Sequence, residues 1–258
     1  MKAQKLPTIL IVGLMFSIVS LFCRLSDATI DPKTIAGLWL FDEGTGDTVK
    51  DSSSNGHNGK LIGNPTFEDG KFGKALSFDG VDDYVNMPFE GSLEISKEIT
   101  LQAWINHNCT DWAQIITREG MWDVGCIGYV MDLTNAQHLR FQLKGVTSEW
   151  TVGNSVIPKN QWVHVACTWD GTTKKLYVDG KLDGSASATG EICDGERKEL
   201  HLGKGWDPFY KGLMDNVAIF NVALTEEQII ETMAGLKATA VAPQEKLTTT
   251  WAGLKKRY

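Results

Sequence analysis

Positive charge is in short supply in this chain: 25 Lys and Arg stand against 32 Asp and Glu, a net charge of −7 over 258 residues. An acidic chain is a poor non-specific binder of nucleic acid or anionic lipid, so neither is expected as a partner. Familiar catalytic signatures are lacking as well. There is no Walker loop, no His-Glu-x-x-His and no Gly-x-Ser-x-Gly elbow. No Cys-x-x-Cys occurs and no histidine stands at ligand spacing from a cysteine, which argues against structural zinc. No segment repeats at a fixed period. The composition, 42% hydrophobic and 22% charged, lacks the bias of disordered, collagenous or coiled-coil chains. What the chain does have is glycine and tryptophan, 26 and 9 residues. Glycine punctuates turns and tryptophan fits a pleated, half-buried surface, so many short strands are expected.

The first 28 residues read as an export leader. Lys2 and Lys5 precede an apolar run from Leu6 to Phe22, and Ser26-Asp27-Ala28 puts small residues at the two positions read by a signal peptidase. The alternative is a single N-terminal anchor, but the run is slightly short of the roughly 20 residues a bilayer requires. A lipoprotein reading of Cys23 is disfavoured by the bulky Leu21-Phe22 before it. Export implies a secreted or cell-envelope location with no membrane contact after cleavage. Cys109, Cys126, Cys167 and Cys193 then remain in an oxidising compartment, where an even number suggests two disulfides. Of three connectivities, Cys109–Cys126 and Cys167–Cys193 are favoured because each closes a local loop, worth about 3 kcal/mol apiece.

From Ile35 to Phe220 the pattern is one of short apolar runs broken by Gly, Asp and Asn. Candidate strands include Ile35–Phe41, Ala75–Phe78, Tyr84–Met87, Ile99–Asn106, Gln114–Thr117, Tyr129–Leu133, Leu139–Leu143, Trp150–Gly153, Trp162–Trp169, Lys174–Val178, His201–Gly203 and Leu213–Phe220. Asp170-Gly171-Thr172-Thr173 joins two of them as a hairpin, and Asp179-Gly180 leads into a further strand at Lys181. This spacing reads as a sandwich or barrel. One helix is signalled: Thr225-Glu226-Glu227-Gln228 is a capping box, Ile229, Ile230 and Met233 form a stripe, and Gly235 is a natural stop. Residues 29–236 form the expected domain and 237–258 a linker or tail.

Several segments are familiar in this order. They are Gly37-Leu38-Trp39-Leu40-Phe41-Asp42-Glu43-Gly44, Gly73-Lys74-Ala75-Leu76-Ser77-Phe78-Asp79-Gly80, Asp82-Asp83-Tyr84-Val85, Ile99 to Ile105, Trp162 to Ala166, Leu176 to Gly180 and Gly212 to Phe220. Together, over about 190 residues, they resemble the laminin-G-like, concanavalin A-like jelly-roll family, to which pentraxins and many bacterial surface or secreted proteins are similar. The resemblance implies an all-β, two-sheet antiparallel jelly-roll sandwich, often with bound calcium, used for binding glycans or proteins. Members often place calcium where the first strand, the Phe-Asp-Gly turn and the last strand meet, which by position selects Asp42, Asp79 and Asp215. Aspartates that merely cap turns are the alternative.

Glycan binding calls for exposed aromatics beside polar groups. Trp112, Trp122, Trp150 and Trp206 fall in loops or at strand ends near Arg118, and this set is the expected ligand-binding face; Trp39, Trp104, Trp162 and Trp169 sit inside strand motifs and belong to the core. Glycosidases of this architecture commonly carry Glu-x-Asp-x-x-Glu on one strand, and that pattern is absent. A non-catalytic module for carbohydrate or an extracellular protein is therefore expected. A carbohydrate-active hydrolase or lyase and an adhesive surface protein held by its C-terminal tail are the alternatives.

Overall fold

The computed structural model describes residues 30–118, 128–193, 199–205 and 208–237. Trp122, Trp206, Cys126, the leader and the tail beyond 237 lie outside the described residues. Two antiparallel sheets make a jelly-roll sandwich. The first sheet runs β14 (Lys181–Ser187), β13 (Thr173–Val178), β12 (Val163–Trp169), β7 (Ile99–His107), β16 (Lys211–Phe220), β5 (Lys74–Asp79) and β4 (Thr66–Asp69), with β1 (Ile35–Trp39) also paired to β16. The second runs β11 (Trp150–Val156), β10 (His138–Leu143), β9 (Tyr129–Leu133), β8 (Ala113–Thr117), β15 (Glu199–Leu202), β6 (Tyr84–Pro88), β3 (Gly59–Ile62) and β2 (Thr48–Val49).

Alternation decides which side chains fill the space between the sheets. On β9, Tyr129, Met131 and Leu133 point inward; on β10, Leu139, Phe141 and Leu143 do the same, and β12 contributes Val163, Val165, Cys167 and Trp169. Trp39 and Trp169 are fully buried there, each donating its indole N–H to a backbone carbonyl, of His57 and Ala188 respectively. The outer face of the first sheet is covered by α1 (Glu226–Thr232), whose Ile229 packs with Ala166, Tyr177 and Ala218. Thr225 and Gln228 form the capping box reciprocally. No helix among the described residues is long and apolar enough to cross a membrane.

Three strands escaped the sequence reading: β2, β3 and β4. They are two to four residues long and mostly exposed or half-buried, so their apolar content is too low to show a period. The expected disulfides are corrected. Cys109 and Cys167 are free, buried thiols. Cys167 faces the interior of the sandwich opposite Leu101 and Leu176. The Cys109 thiol exchanges hydrogen bonds with the backbone N–H and C=O of Lys211, both at 3.3 Å. Cys193 is disulfide-bonded to a cysteine outside the described residues. Loop proximity in sequence misled because strand alternation, not loop length, sets where each thiol points.

Candidate functional site

The second sheet turns a polar row outward. Alternation on β8, β9 and β10 leaves Gln114, Asp132, Arg140 and Gln142 on its outer face, and all four are buried. Arg140 faces Asp132 directly across the β9–β10 ladder. Its Nε donates to Asp132 Oδ1 at 2.8 Å and its Nη2 to Asp132 Oδ2, a two-pronged ion pair. Burial pushes the Asp132 carboxyl up, and the Arg140 guanidinium in contact with it works against that rise.

Two indoles bracket this pair. The Arg140 guanidinium lies 4.4 Å from the Trp112 ring centroid and 4.9 Å from that of Trp150. Trp112 precedes β8 and is half-buried; Trp150 opens β11, stands opposite Gln142 and is 45% exposed. The turn before Trp150 is tied down: Leu143 N–H donates to the Glu149 carbonyl at 2.9 Å, Lys144 pairs with the Glu149 carboxylate at 2.8 Å, and the buried Lys174 ammonium donates to the Ser148 and Glu149 carbonyls. Burial lowers the Lys174 pKa to about 8. Gln142 adds an outward-facing amide whose Oε1 has no hydrogen-bond partner among the described residues.

A second aromatic group shares this face. The Lys204 ammonium lies 4.1 Å from the Tyr84 ring centroid and 5.8 Å from Phe209, with Tyr84 edge-on to His201 at 5.3 Å. Lys204 follows β15 and Tyr84 begins β6. A cavity of about 280 Å³ near the strand ends is lined by Trp112 of the first group and Phe209 of the second, with Asn108, Asp111, Pro208 and Lys211.

The structure therefore brings Trp112 and Trp150 to one guanidinium and leaves Arg118 apart. Arg118 follows β8, six residues beyond Trp112, a run of about 20 Å. It is buried with its guanidinium 4.0 Å from the Phe89 ring and donates to the Cys193 carbonyl at 2.9 Å. Asp132 and Arg140, Tyr84, Lys204 and Phe209 were missed. For Asp132 and Arg140 the available signal was a lone charge inside each of two otherwise uncharged segments, Tyr-Val-Met-Asp-Leu and Leu-Arg-Phe-Gln-Leu.

Asp42 and Asp215 meet at the turn 70–74, where Asp42 Oδ1 accepts the Lys74 N–H at 2.9 Å and Asp215 Oδ2 accepts the Phe72 N–H at 2.8 Å. A Cβ at Gly73 would lie 2.2 Å from Asp42 Oδ1 and one at Gly70 2.7 Å from Asp215 Oδ2, so only glycine permits that approach. Burial pushes the Asp215 carboxyl up, and neighbouring Asp42 adds to the rise. Asp79 lies elsewhere. It pairs with Lys211, while Asp215 falls opposite Ala75, about 13 Å along the strand. Asp79 clusters instead with Asp82 and Asp83, their carboxylate oxygens within 4.8 Å, and accepts the Val81 N–H at 2.8 Å as a turn cap.

A family model described as the concanavalin A-like lectin/glucanases superfamily matches residues 79–230. The chain belongs to that superfamily. Among solved structures, this lectin/glucanase-type domain is similar to domain 4 of AbnA, a GH43 extracellular arabinanase from Geobacillus stearothermophilus, in complex with arabinotriose. Identity is 24% and the TM-score 0.61, over 77% of this chain and 97% of that domain. It is also similar to the binding domain of Paraclostridial Mosquitocidal Protein 1 (15% identity, TM-score 0.62, 78% and 52% covered) and to that of botulinum neurotoxin DC in complex with rat synaptotagmin II (15%, 0.58, 80% and 52%). Human pappalysin-1 is 27% identical over 208 residues, which is 70% of this chain and 12% of that protein. This domain thus spans about an eighth of the curated relative it matches.

Proposed function

We propose that this protein is an exported, non-catalytic carbohydrate-binding module, working outside the cell or at its envelope once residues 1–28 are removed. The observation that carries the reading is the Trp112–Arg140–Trp150 stack, with the exposed Trp150 indole beside buried amide and carboxylate groups. Apolar sugar faces stack on indoles, and sugar hydroxyls suit the polar atoms alongside. Solved structures of like fold support it: one is a domain of an arabinanase in complex with arabinotriose, and two are binding domains. The hydrolase reading is less well served. Asp132 is committed as counter-ion to Arg140 and is poorly placed to deliver a proton.

A glycan array of the purified protein tests the reading. Binding to a defined glycan class is expected, with Trp150→Ala and Trp112→Ala each weakening it about tenfold, the worth of one lost stacking contact. Unchanged binding in both variants, or a blank array, overturns it; protein-receptor binding is then the reading to pursue.

We also propose that calcium is held at Asp42 and Asp215. Two carboxylates, one of them buried and raised, converge on one turn, and hard oxygen donors of that kind suit calcium. Asp79 is too far along its strand to join them. Millimolar calcium is expected to raise the melting temperature by several degrees and EDTA to reverse it, with the increment lost in Asp215→Asn. Identical melting with calcium and with EDTA removes the metal from the account.

A further inference from the structure

Two aromatic platforms stand on the same outer face. One is Trp112 and Trp150, both against the Arg140 guanidinium; the other is Tyr84 and Phe209, whose ring centroids lie 6.2 Å apart with the Lys204 ammonium against both. In the sheet order, β10 carrying Arg140 and β6 carrying Tyr84 are four strand spacings apart, about 19 Å. One cavity is lined by Trp112 of the first platform and by Phe209 of the second. Tyr84, Lys204 and Phe209 are half-buried, leaving ring surface accessible. A single sugar ring fills one platform and leaves the other and the cavity without contacts.

We propose that the ligand is an extended oligosaccharide chain that bridges both platforms across β8 and β15, with Tyr84 and Phe209 forming a distal subsite, rather than a single terminal sugar. This rests on the carbohydrate reading given above. Asp111 and Lys211 line the cavity that Trp112 and Phe209 share, so groups able to accept from and donate to sugar hydroxyls stand beside both platforms. The two cations facing the rings order the aromatic planes before binding, which lowers the entropy lost when a chain is captured.

Titration calorimetry of the whole protein with arabinose, arabinotriose and arabinohexaose, and with matched cello- and xylo-oligosaccharides, tests this. In one series affinity is expected to rise at least about tenfold from monomer to hexamer. Phe209→Ala and, as an independent variant, Tyr84→Ala are expected to abolish that gain while leaving the shortest ligand's affinity unchanged in protein shown to be folded. Trp150→Ala is expected to weaken every length. Equal affinity at all lengths, or uniform weakening by both distal variants, overturns the bridging inference and leaves the carbohydrate reading standing. No binding of any member of any series, together with a blank array, overturns both.

Discussion

Asp132→Ala is expected to destabilise the protein by about 3–5 kcal/mol, the cost of leaving a buried charge without its partner. Arg140 is 5% exposed and Asp132 fully buried, so water cannot replace the lost carboxylate. The two indoles stacked on the guanidinium soften its charge and do not neutralise it. In a domain of this size such a loss lowers the melting temperature by about 10 °C. Replacing both members, Asp132→Leu with Arg140→Met, is expected to recover much of that loss, because the ion pair itself repays little more than its own desolvation. The double variant is nevertheless expected to lose glycan affinity, since Trp112 and Trp150 lose the group that spaces them. Urea unfolding of the two variants beside the parent protein decides the matter; a loss under about 1 kcal/mol for Asp132→Ala contradicts this expectation.

Acid is expected to weaken the fold well before carboxylates titrate, and His164 is the principal cause. Its ring is fully buried on the outer face of the first sheet, 5.4 Å edge-on to Trp104, and neither nitrogen has a hydrogen-bond partner among the described residues. Asp179 approaches only its backbone, accepting the His164 N–H at 2.9 Å. Burial holds the imidazole pKa down to about 3, against an ordinary 6.5. The folded pKa is depressed, so the unfolded chain takes up a proton as pH falls through 6.5 while the fold does not. Stability is then lost progressively between pH 6.5 and 3, by roughly 5 kcal/mol for this one group. Burial lowers His107 in the same direction. The raised carboxyls of Asp132 and Asp215 act oppositely at lower pH, because a raised acid gains its proton first in the fold. The histidine effect is therefore cleanest between pH 6.5 and 5. His164→Leu is expected to flatten that limb of the stability profile. Parallel profiles for the two proteins would rule out His164 as its source.

Much of this protein is written locally. Alternation of apolar and polar residues, with Gly- and Asp-bearing turns, marks β1, β5 to β16 and the capped helix, because each strand's inward set depends only on period two along its own stretch. The order of motifs from Gly37 to Phe220 specifies the superfamily, and Trp39 and Trp169 are core for the same local reason. Placement across strands is another matter. Arg140 meets Asp132 because of the β9–β10 register, and meets Trp112 and Trp150 because β8 and β11 lie on either side of that pair. Arg118, six residues from Trp112, is carried to the opposite end of the same strand. Asp42 and Asp215 meet over 173 residues of sequence while Asp79 is left out, and Cys167 faces the core rather than Cys193. The physical reason is common to all four. Which element a residue joins follows from its neighbours in the chain, whereas which side chains face one another is set by strand register and sheet order, which long-range pairing alone determines.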